Sequence, residues 1–447
     1  MAKPIYPANG GKNKISVVNN NTAGIDIGSR KIFIGIADKP VVSYDTFTDD
    51  YLNAVTYLKE NNITSVAMEA TGVYWIPLYD ILDQSGFDII LCKADQAKNI
   101  PGRKTDVADC QWIQQLHSYG LLRSSFIPPQ HIRTLRTFVR QRRTNLQLAS
   151  DHIRRAHKAL ELMNIKLQNV ITQINGKSGL AVLTAIINGN HNPENLAALC
   201  EESILKKKKE AVIKSLKGNF SDENIFLLKQ AVDAYLFYLK HVDDCDKQIE
   251  NYLSLITQEL PQPEKLNKPK PIRHHKPNID DLHLKLMQLT GGKDASQITG
   301  LTDSTLLQVI SEVGTDLSRF PTEKHFTSWL GLSPNSHQSG LTNKKKKFKR
   351  HTSAGQIFRL AAQAIAQSKH LALTSFYHRI KARKGSLGAI KATARKIAVI
   401  FYNVMTKGIE FVEQGIKQYE QKIKERQIKY LHKQAHRFGL TIITQVE

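Results

Sequence analysis

TAGIDIGSRKIFIGIA, residues 22–37, decides how the chain begins to fold. TAGIDIG and KIFIGIA are apolar, β-branched runs, and the two polar residues between them, Ser29 and Arg30, read as the connection of a hairpin. Outward from it, VVSYDTF supplies a third strand and residues 49–60 alternate at helical spacing. SVAMEA is a short buried strand, 75–84 a helix, and FDIILC another strand. Strands that begin antiparallel and continue through β-α-β units predict a mixed sheet covered by helices over about residues 21–125.

Asp26 stands in the middle of the first strand, inside an otherwise apolar run. A buried carboxylate without a partner is costly, and a cation would resolve that cost. Glu69 ends the SVAMEA strand just before Thr71 and Gly72, so it emerges at a strand C-terminus. Asp106 and Asp109 lie in RKTDVADCQW, where i,i+3 spacing on a helix puts both carboxylates on one face. Hard oxygen ligands of this kind suit Mg²⁺ and phosphoryl chemistry. Taken singly, Asp106 and Asp109 also read as a helix N-terminal pair answering the macrodipole, and Glu69 as a solvated strand-end acid.

After Pro128 and Pro129 the sequence turns helical. Leu146, Ala149, Ile153, Ala156, Leu160, Met163 and Leu167 recur at alternating gaps of three and four, a heptad seam fitting either a coiled-coil arm or a helix packed on its own domain. A second long helical pattern runs from Asn224 to about Leu260. The stretch 169–223 between them carries the run Lys206–Lys209 and reads as a less regular helical insertion. The expected domains are a polar tail over 1–20, the sheet domain over 21–125, and a helical, coiled-coil region with its insertion over 126–260. A basic Pro-rich linker over 261–297, a mostly helical domain over 298–410 and a charged helical tail over 411–447 complete them. ITGLTDSTLLQVISEVGTD, residues 298–316, has the outline of a helix-hairpin-helix.

Charge separates the two ends. The chain carries a formal +23, which argues for a polyanionic partner. Residues 21–110 hold thirteen acids against eight Lys or Arg, whereas Lys324 to Ile409 contains no acid against seventeen Lys or Arg. The four cysteines are scattered without metal-ligand spacing and read as reduced cytosolic thiols. No stretch approaches the roughly 20 apolar residues of a membrane span, and the first twenty residues hold no apolar signal core. A cytoplasmic protein is expected.

Within the acid-free half, Ser339-Gly340 lies in a polar loop leading into Lys344, Lys345, Lys346, Lys347, Lys349 and Arg350. Further cations follow at Arg359, Arg379, Lys381, Arg383, Lys384, Lys391, Arg395 and Lys396, and phosphate contact is their default assignment. On composition alone Ser339 is one hydroxyl among several, with Ser333, Ser336 and Ser353 nearby.

The order of a mid-strand Asp, a strand-end Glu and Asp-x-x-Asp, spaced by 43, 37 and 3 residues, resembles the DEDD site of RuvC-like (RNase H-like) domains. More narrowly, GIDIG, MEATGVYW and RKTDVADC resemble the N-terminal half of the IS one-ten family of insertion-sequence transposases. WLGLSPNSHQSG, HTSAGQIFR and FYHRIKARKGSLGAIKATARK resemble that family's C-terminal domain. Leu341 departs from a common second Gly, and Gln356 from a common Asn. The resemblance implies an α/β plus α protein: an RNase H-like mixed sheet, a helical coiled-coil arm and a mostly helical transposase domain. It implies that Asp26, Glu69, Asp106 and Asp109 bind Mg²⁺ and that Ser339 is the nucleophile. It further implies donor and target DNA as substrates, an element-encoded non-coding guide RNA, and a homo-oligomer sharing a composite site. Two other readings of the residues stay open, a metal-dependent nuclease or junction resolvase using water and a non-catalytic nucleic-acid-binding protein.

Overall fold

The computed structural model describes residues 16–93, 105–272, 274–334, 336–339, 342–345, 352–368, 371–408, 421, 424–425 and 428–440. The chain divides into two compact units, residues 1–127 and 128–447. No helix among the described residues is long and apolar enough to cross a membrane.

In the first unit, β1 (Thr22–Ile27), β2 (Lys31–Ile36), β3 (Val42–Asp45), β4 (Ser65–Glu69) and β5 (Asp88–Cys92) form one sheet in the order β3-β2-β1-β4-β5. β1 is antiparallel to β2, and β2 to β3, while β1, β4 and β5 run parallel. The expected hairpin and mixed sheet are thus both present. Period-2 alternation gives each strand two faces. Ala23, Ile25, Ile27, Ile32, Ile34, Val66 and Met68 bury one face under α1 (Thr48–Glu60) and α2 (Trp75–Gln84), which contribute Tyr51, Leu58, Leu78 and Leu82.

The other face receives α3 (Asp106–Ser118), and two glycines admit it. Gly24 and Gly35 are register partners on β1 and β2. A Cβ on Gly24 would stand 2.3 Å from the Cys110 carbonyl oxygen and 2.3 Å from the Gln114 nitrogen, and one on Gly35 3.1 Å from the Gln111 nitrogen. Only bare backbone lets the helix lie this close. Gln114 then donates to the Thr22 hydroxyl at 3.2 Å, setting the helix antiparallel to β1 with its N-terminus beside Asp26.

The second unit is built on two long helices, α4 (Gln130–Leu162) and α8 (Asp222–Thr257). They pack antiparallel: Phe138 meets Tyr252 edge-on at 5.9 Å between ring centroids, and His152 stacks on Tyr238 at 5.5 Å. The heptad seam therefore finds its partner inside the chain. Ala149, Ala156, Leu160 and Met163 are buried, the last three in a core shared with α5 (Lys177–Ile187), α6 (Pro193–Ala198) and α7 (Glu202–Ser215). The insertion is helical, as expected. α4 ends at Leu162, before a left-handed Asn164, so Met163 and Leu167 lie beyond the helix the seam was read on.

Paired charges fasten the arm. The Arg142 guanidinium binds the Asp246 carboxylate in a buried, bidentate pair, with the second bond at 3.2 Å. Arg142 also donates to the His275 carbonyl at 3.2 Å, and Asp246 accepts from the Asn278 nitrogen at 3.0 Å. The Pro-rich segment is thereby strapped to the arm rather than hanging as a free linker. Part of the stretch read as linker is helix, α9 (Leu282–Leu289), with Leu286 and Met287 in the core. α10 (Asp303–Val313) is anchored in turn: Arg140 donates to both Glu312 oxygens at 2.8 and 2.7 Å, and Arg136 to the Ser311 and Glu312 carbonyls. Burial pushes the Glu312 carboxyl up, but the Arg140 hydrogen bonds and the two guanidinium charges hold it below its usual range.

Of the helix-hairpin-helix outline over 298–316, the Gly300 turn, the apolar helix α10 and Gly314 at its C-terminus are present, preceded by a 3-10 turn, Ala295–Gln297. A Cβ on Gly300, at φ +88°, would stand 3.0 Å from the Ala361 carbonyl oxygen and 3.0 Å from the Ile365 side chain, and Lys270 donates to the Ile298 and Leu301 carbonyls. The turn faces the core and is braced from within, because Ile298 and Leu301 are apolar and need cover. α11 (Glu323–Trp329), α12 (Ser353–Ala366) and α13 (Leu371–Lys407) complete the unit, with the hairpin β6 (Ser336–Ser339) and β7 (Thr342–Lys345) between α11 and α12. Of the tail, residues 428–437 are helical; 1–15, 411–420 and 441–447 lie outside the described residues.

Candidate active site

Three elements bring the four carboxylates of the first unit to one sheet edge. Asp26 follows Gly24 by two residues and shares its α3-facing side. Ile25 pairs with Met68 in the parallel β1–β4 register, so one step on Asp26 lies beside Glu69. Neighbouring strands stand about 4.8 Å apart, which makes these two lateral neighbours. Thr105 caps α3 by accepting from the Ala108 nitrogen at 3.2 Å, and Asp106 and Asp109 occupy the first turn. The order read from sequence is thus a single constellation on the α3 side of the sheet.

Electrostatics report the same proximity. The Asp26 carboxyl is pushed up to about 6, first by burial and then by the charges of Asp106, Asp109 and Glu69. Like charges held together disfavour ionisation, and a bound cation reverses that penalty. An all-carboxylate donor set with one member so frustrated fits a hard divalent cation. Among the described residues, no group of three or more Asp, Glu, His or Cys stands closed around a coordination point. The acids share a field without forming a finished cage.

Sequence reading missed two neighbours. Cys110 on α3 is pushed up to about 12 by burial and the Asp26 charge, and Cys92, register partner of Glu69, up to about 11 by burial and the Glu69 charge. Both thiols stay protonated at neutral pH and line the carboxylates with soft, uncharged bulk. Adjacency to Asp109 was the only sequence signal for Cys110. A cleft of about 790 Å³, lined by Asn19, Asn21, Asp38, Lys39, Asn61 and Gln111 among others, opens at the opposite edge of the sheet. It contains none of the four acids.

In the second unit Ser339 is the last residue of β6 and pairs with Thr342. Thr352 caps α12 by accepting from the Gly355 nitrogen at 3.0 Å and donates to the Leu330 carbonyl at 3.1 Å. A Cβ on Gly355 would come within 2.1 Å of that carbonyl oxygen, so the start of α12 is pressed on the end of α11. Lys344 and Lys345 lie in β7, opposite His337 and Ser336. Lys346, Lys347, Lys349 and Arg350 lie outside the described residues.

The remaining cations are on α12 and α13. Gly385, at φ +71°, breaks α13. Arg379, Lys381, Arg383 and Lys384 are exposed before the break, and Lys391, Arg395 and Lys396 follow it. Arg379 lies over the Phe376 ring at 5.5 Å, while Tyr377 is core. Burial lowers the pKa of half-buried Arg359; it lowers that of Lys391 too, and there the charge of Arg359 adds to the effect. These two cations converge across α12 and α13 in a stretch without one acid, a pairing that sequence spacing did not reveal.

Residues 23–165 match a DEDD transposase family model of the IS110 type, described as a transposase, and residues 293–378 match the one described as transposase IS116/IS110/IS902 family. The first span contains all four carboxylates and the second contains Ser339. No curated protein matches the chain.

Proposed function

Because the chain belongs to the IS110 family of transposases, we propose that it cuts and rejoins the DNA of a mobile element with Ser339 as nucleophile and a carboxylate-held Mg²⁺ as its partner. The observation that carries the metal half is the suppressed ionisation of Asp26, by burial first and then by the charges of Asp106, Asp109 and Glu69. These four residues would hold the ion, which when bound supplies charge neutralisation on the phosphate oxygens.

The Ser339 Oγ attacks a backbone phosphorus, forming an O–P bond while the bond from phosphorus to a sugar oxygen breaks. The serine proton passes to a base, and the departing sugar oxygen takes up a proton to leave as a hydroxyl. The resulting phosphoserine link conserves the bond energy for rejoining, when that hydroxyl or another attacks in turn. Arg359 and Lys391, with the exposed cations of α13, are suited to backbone phosphates, since a polyanion relieves their mutual repulsion.

Carboxylates from one protomer and Ser339 from another would make the site composite. The α4 seam is already covered by α8, so such an oligomer draws on other surfaces. A guide RNA pairing with donor and target DNA completes the reading; the basic surface suits it, because A-form helices are read through shape and phosphate. Sequencing the RNA that co-purifies from cells carrying the native flanking DNA tests this part, and recovery of random cellular RNA alone would remove it. Ser339→Ala tests the nucleophile. Loss of both strand cleavage and the covalent DNA adduct is expected, whereas continued cutting would mark a water-using nuclease.

A further inference from the structure

The carboxylate edge of the first unit carries a second kind of surface. β3 runs in the same direction as β1 and ends at Asp45 opposite Lys31, so Phe47 lies at the edge where Asp26 and Glu69 emerge. The Thr46 hydroxyl, donating to the Ser29 carbonyl at 3.3 Å, ties that segment to the β1–β2 turn. β4 leads from Glu69 through a left-handed Gly72 to Val73 and Tyr74 at the start of α2. Val107 is on the first turn of α3, beside Asp106. All four are large and apolar, and all are exposed: Phe47 by 72%, Val73 by 67%, Tyr74 by 48% and Val107 by 43%.

The tip is built rather than loose. The Thr71 hydroxyl donates to the Glu69 carboxylate at 3.1 Å, the Ala70 nitrogen to the Cys92 carbonyl at 3.0 Å, and Trp75 meets Tyr79 edge-on at 5.6 Å. Arg30 and Lys93, at the ends of the β1–β2 turn and of β5, are exposed on the same edge. Exposed aromatic and apolar side chains together with cations at one sheet edge are the composition of a single-strand platform, where cations follow the backbone and flat groups cover the bases. A duplex hides its base faces, so a platform of this kind has a ligand only where a base has left the stack.

We propose that Phe47, Val73 and Tyr74 form a platform that receives an unstacked nucleobase next to the phosphate handled by the carboxylates. This rests on the carboxylate edge being the reaction site. Stacking there positions the strand and confines reaction to DNA that is distorted or open at that step.

The test uses the full-length chain, saturated with a single-stranded oligonucleotide carrying 5-bromodeoxyuridine, irradiated and mapped by mass spectrometry. Adducts on Phe47 or Tyr74 are expected, and a fully paired duplex of the same sequence should give none there. Phe47→Ala with Tyr74→Ala should weaken binding of the single strand about tenfold or more, with Tyr74→Phe restoring most of the loss. Adducts confined to other segments overturn the proposal without any variant having to fold. So does a double variant that keeps full affinity, or one that changes only the oligomeric state, which would make the rim a protein interface. Asp109→Asn run in parallel separates the two readings. If it still recombines, the carboxylate chemistry fails while the adduct map decides the platform on its own.

Discussion

The carboxylate edge of the first unit and the α12–α13 face of the second hold like charges together, whereas the α4–α8 arm holds opposite charges together. Asp26 sits among three other acids, and Lys391 sits beside Arg359 with no acid nearby in sequence. On the arm, Arg142 is matched by Asp246, and Arg136 and Arg140 by Glu312. A folded chain gains nothing from crowding like charges, and that crowding is what supports the proposal of a cation at the first place and phosphates at the second. Matched, buried pairs need no ligand, and they explain how the helices hold their angles.

The largest effect expected on this contrast is loss of recombination. Asp109→Asn and Ser339→Ala should each lower it by about a thousandfold or more, measured on a plasmid carrying the element ends. Mixing the two inactive variants should recover a fraction of activity if the site is composite, and recover none if each protomer works alone. Next in size is Asp246→Ala, which strands a buried guanidinium and should cost about 3–5 kcal/mol of stability in thermal or denaturant unfolding. A fall below 1 kcal/mol would show that the matched pairs are not what fastens the arm.

Asp26→Asn should move stability the other way. Its folded pKa, about 6, lies above the 3.8 of an unperturbed aspartate, so the wild-type carboxyl favours the folded state fully only below pH 4. That contribution is lost as pH rises through 6. Without divalent metal the Asn variant should therefore be more stable at pH 7.5 by about 1–2 kcal/mol, the shift being reduced by solvent screening of a half-exposed group. The advantage should vanish at pH 4. Added Mg²⁺ should raise the wild-type melting temperature and leave that of the variant nearly unmoved; equal responses would break the contrast. Smallest is the effect of Lys391→Ala, expected to leave stability within about 0.5 kcal/mol while lowering the salt slope of DNA binding by about one.

Much of the first unit is readable from the chain itself. Short apolar, β-branched runs bounded by polar turns mark the strands between Thr22 and Cys92, and helical spacing marks the segments between them, so strands and helices fall where the pattern puts them. The Asp-x-x-Asp pair was legible for a similar reason, because helical spacing is local. The arm was legible only in part. A heptad seam specifies that something apolar packs along it, but not whether the partner is another chain or α8, about a hundred residues on. The Pro-rich stretch misled because its order comes from Asp246 and Arg142, far away in sequence.

By itself, then, the sequence determined the sheet, the order of the four acids and the acid-free basic half, since these depend on local periodicity and on counting. Only the tertiary structure decided that Gly24 and Gly35 bring α3 down onto the sheet, that Asp26 is thereby crowded by Asp106 and Asp109, and that Arg359 meets Lys391. Those are distances between segments, and a pKa or a repulsion depends on distance rather than on order along a chain.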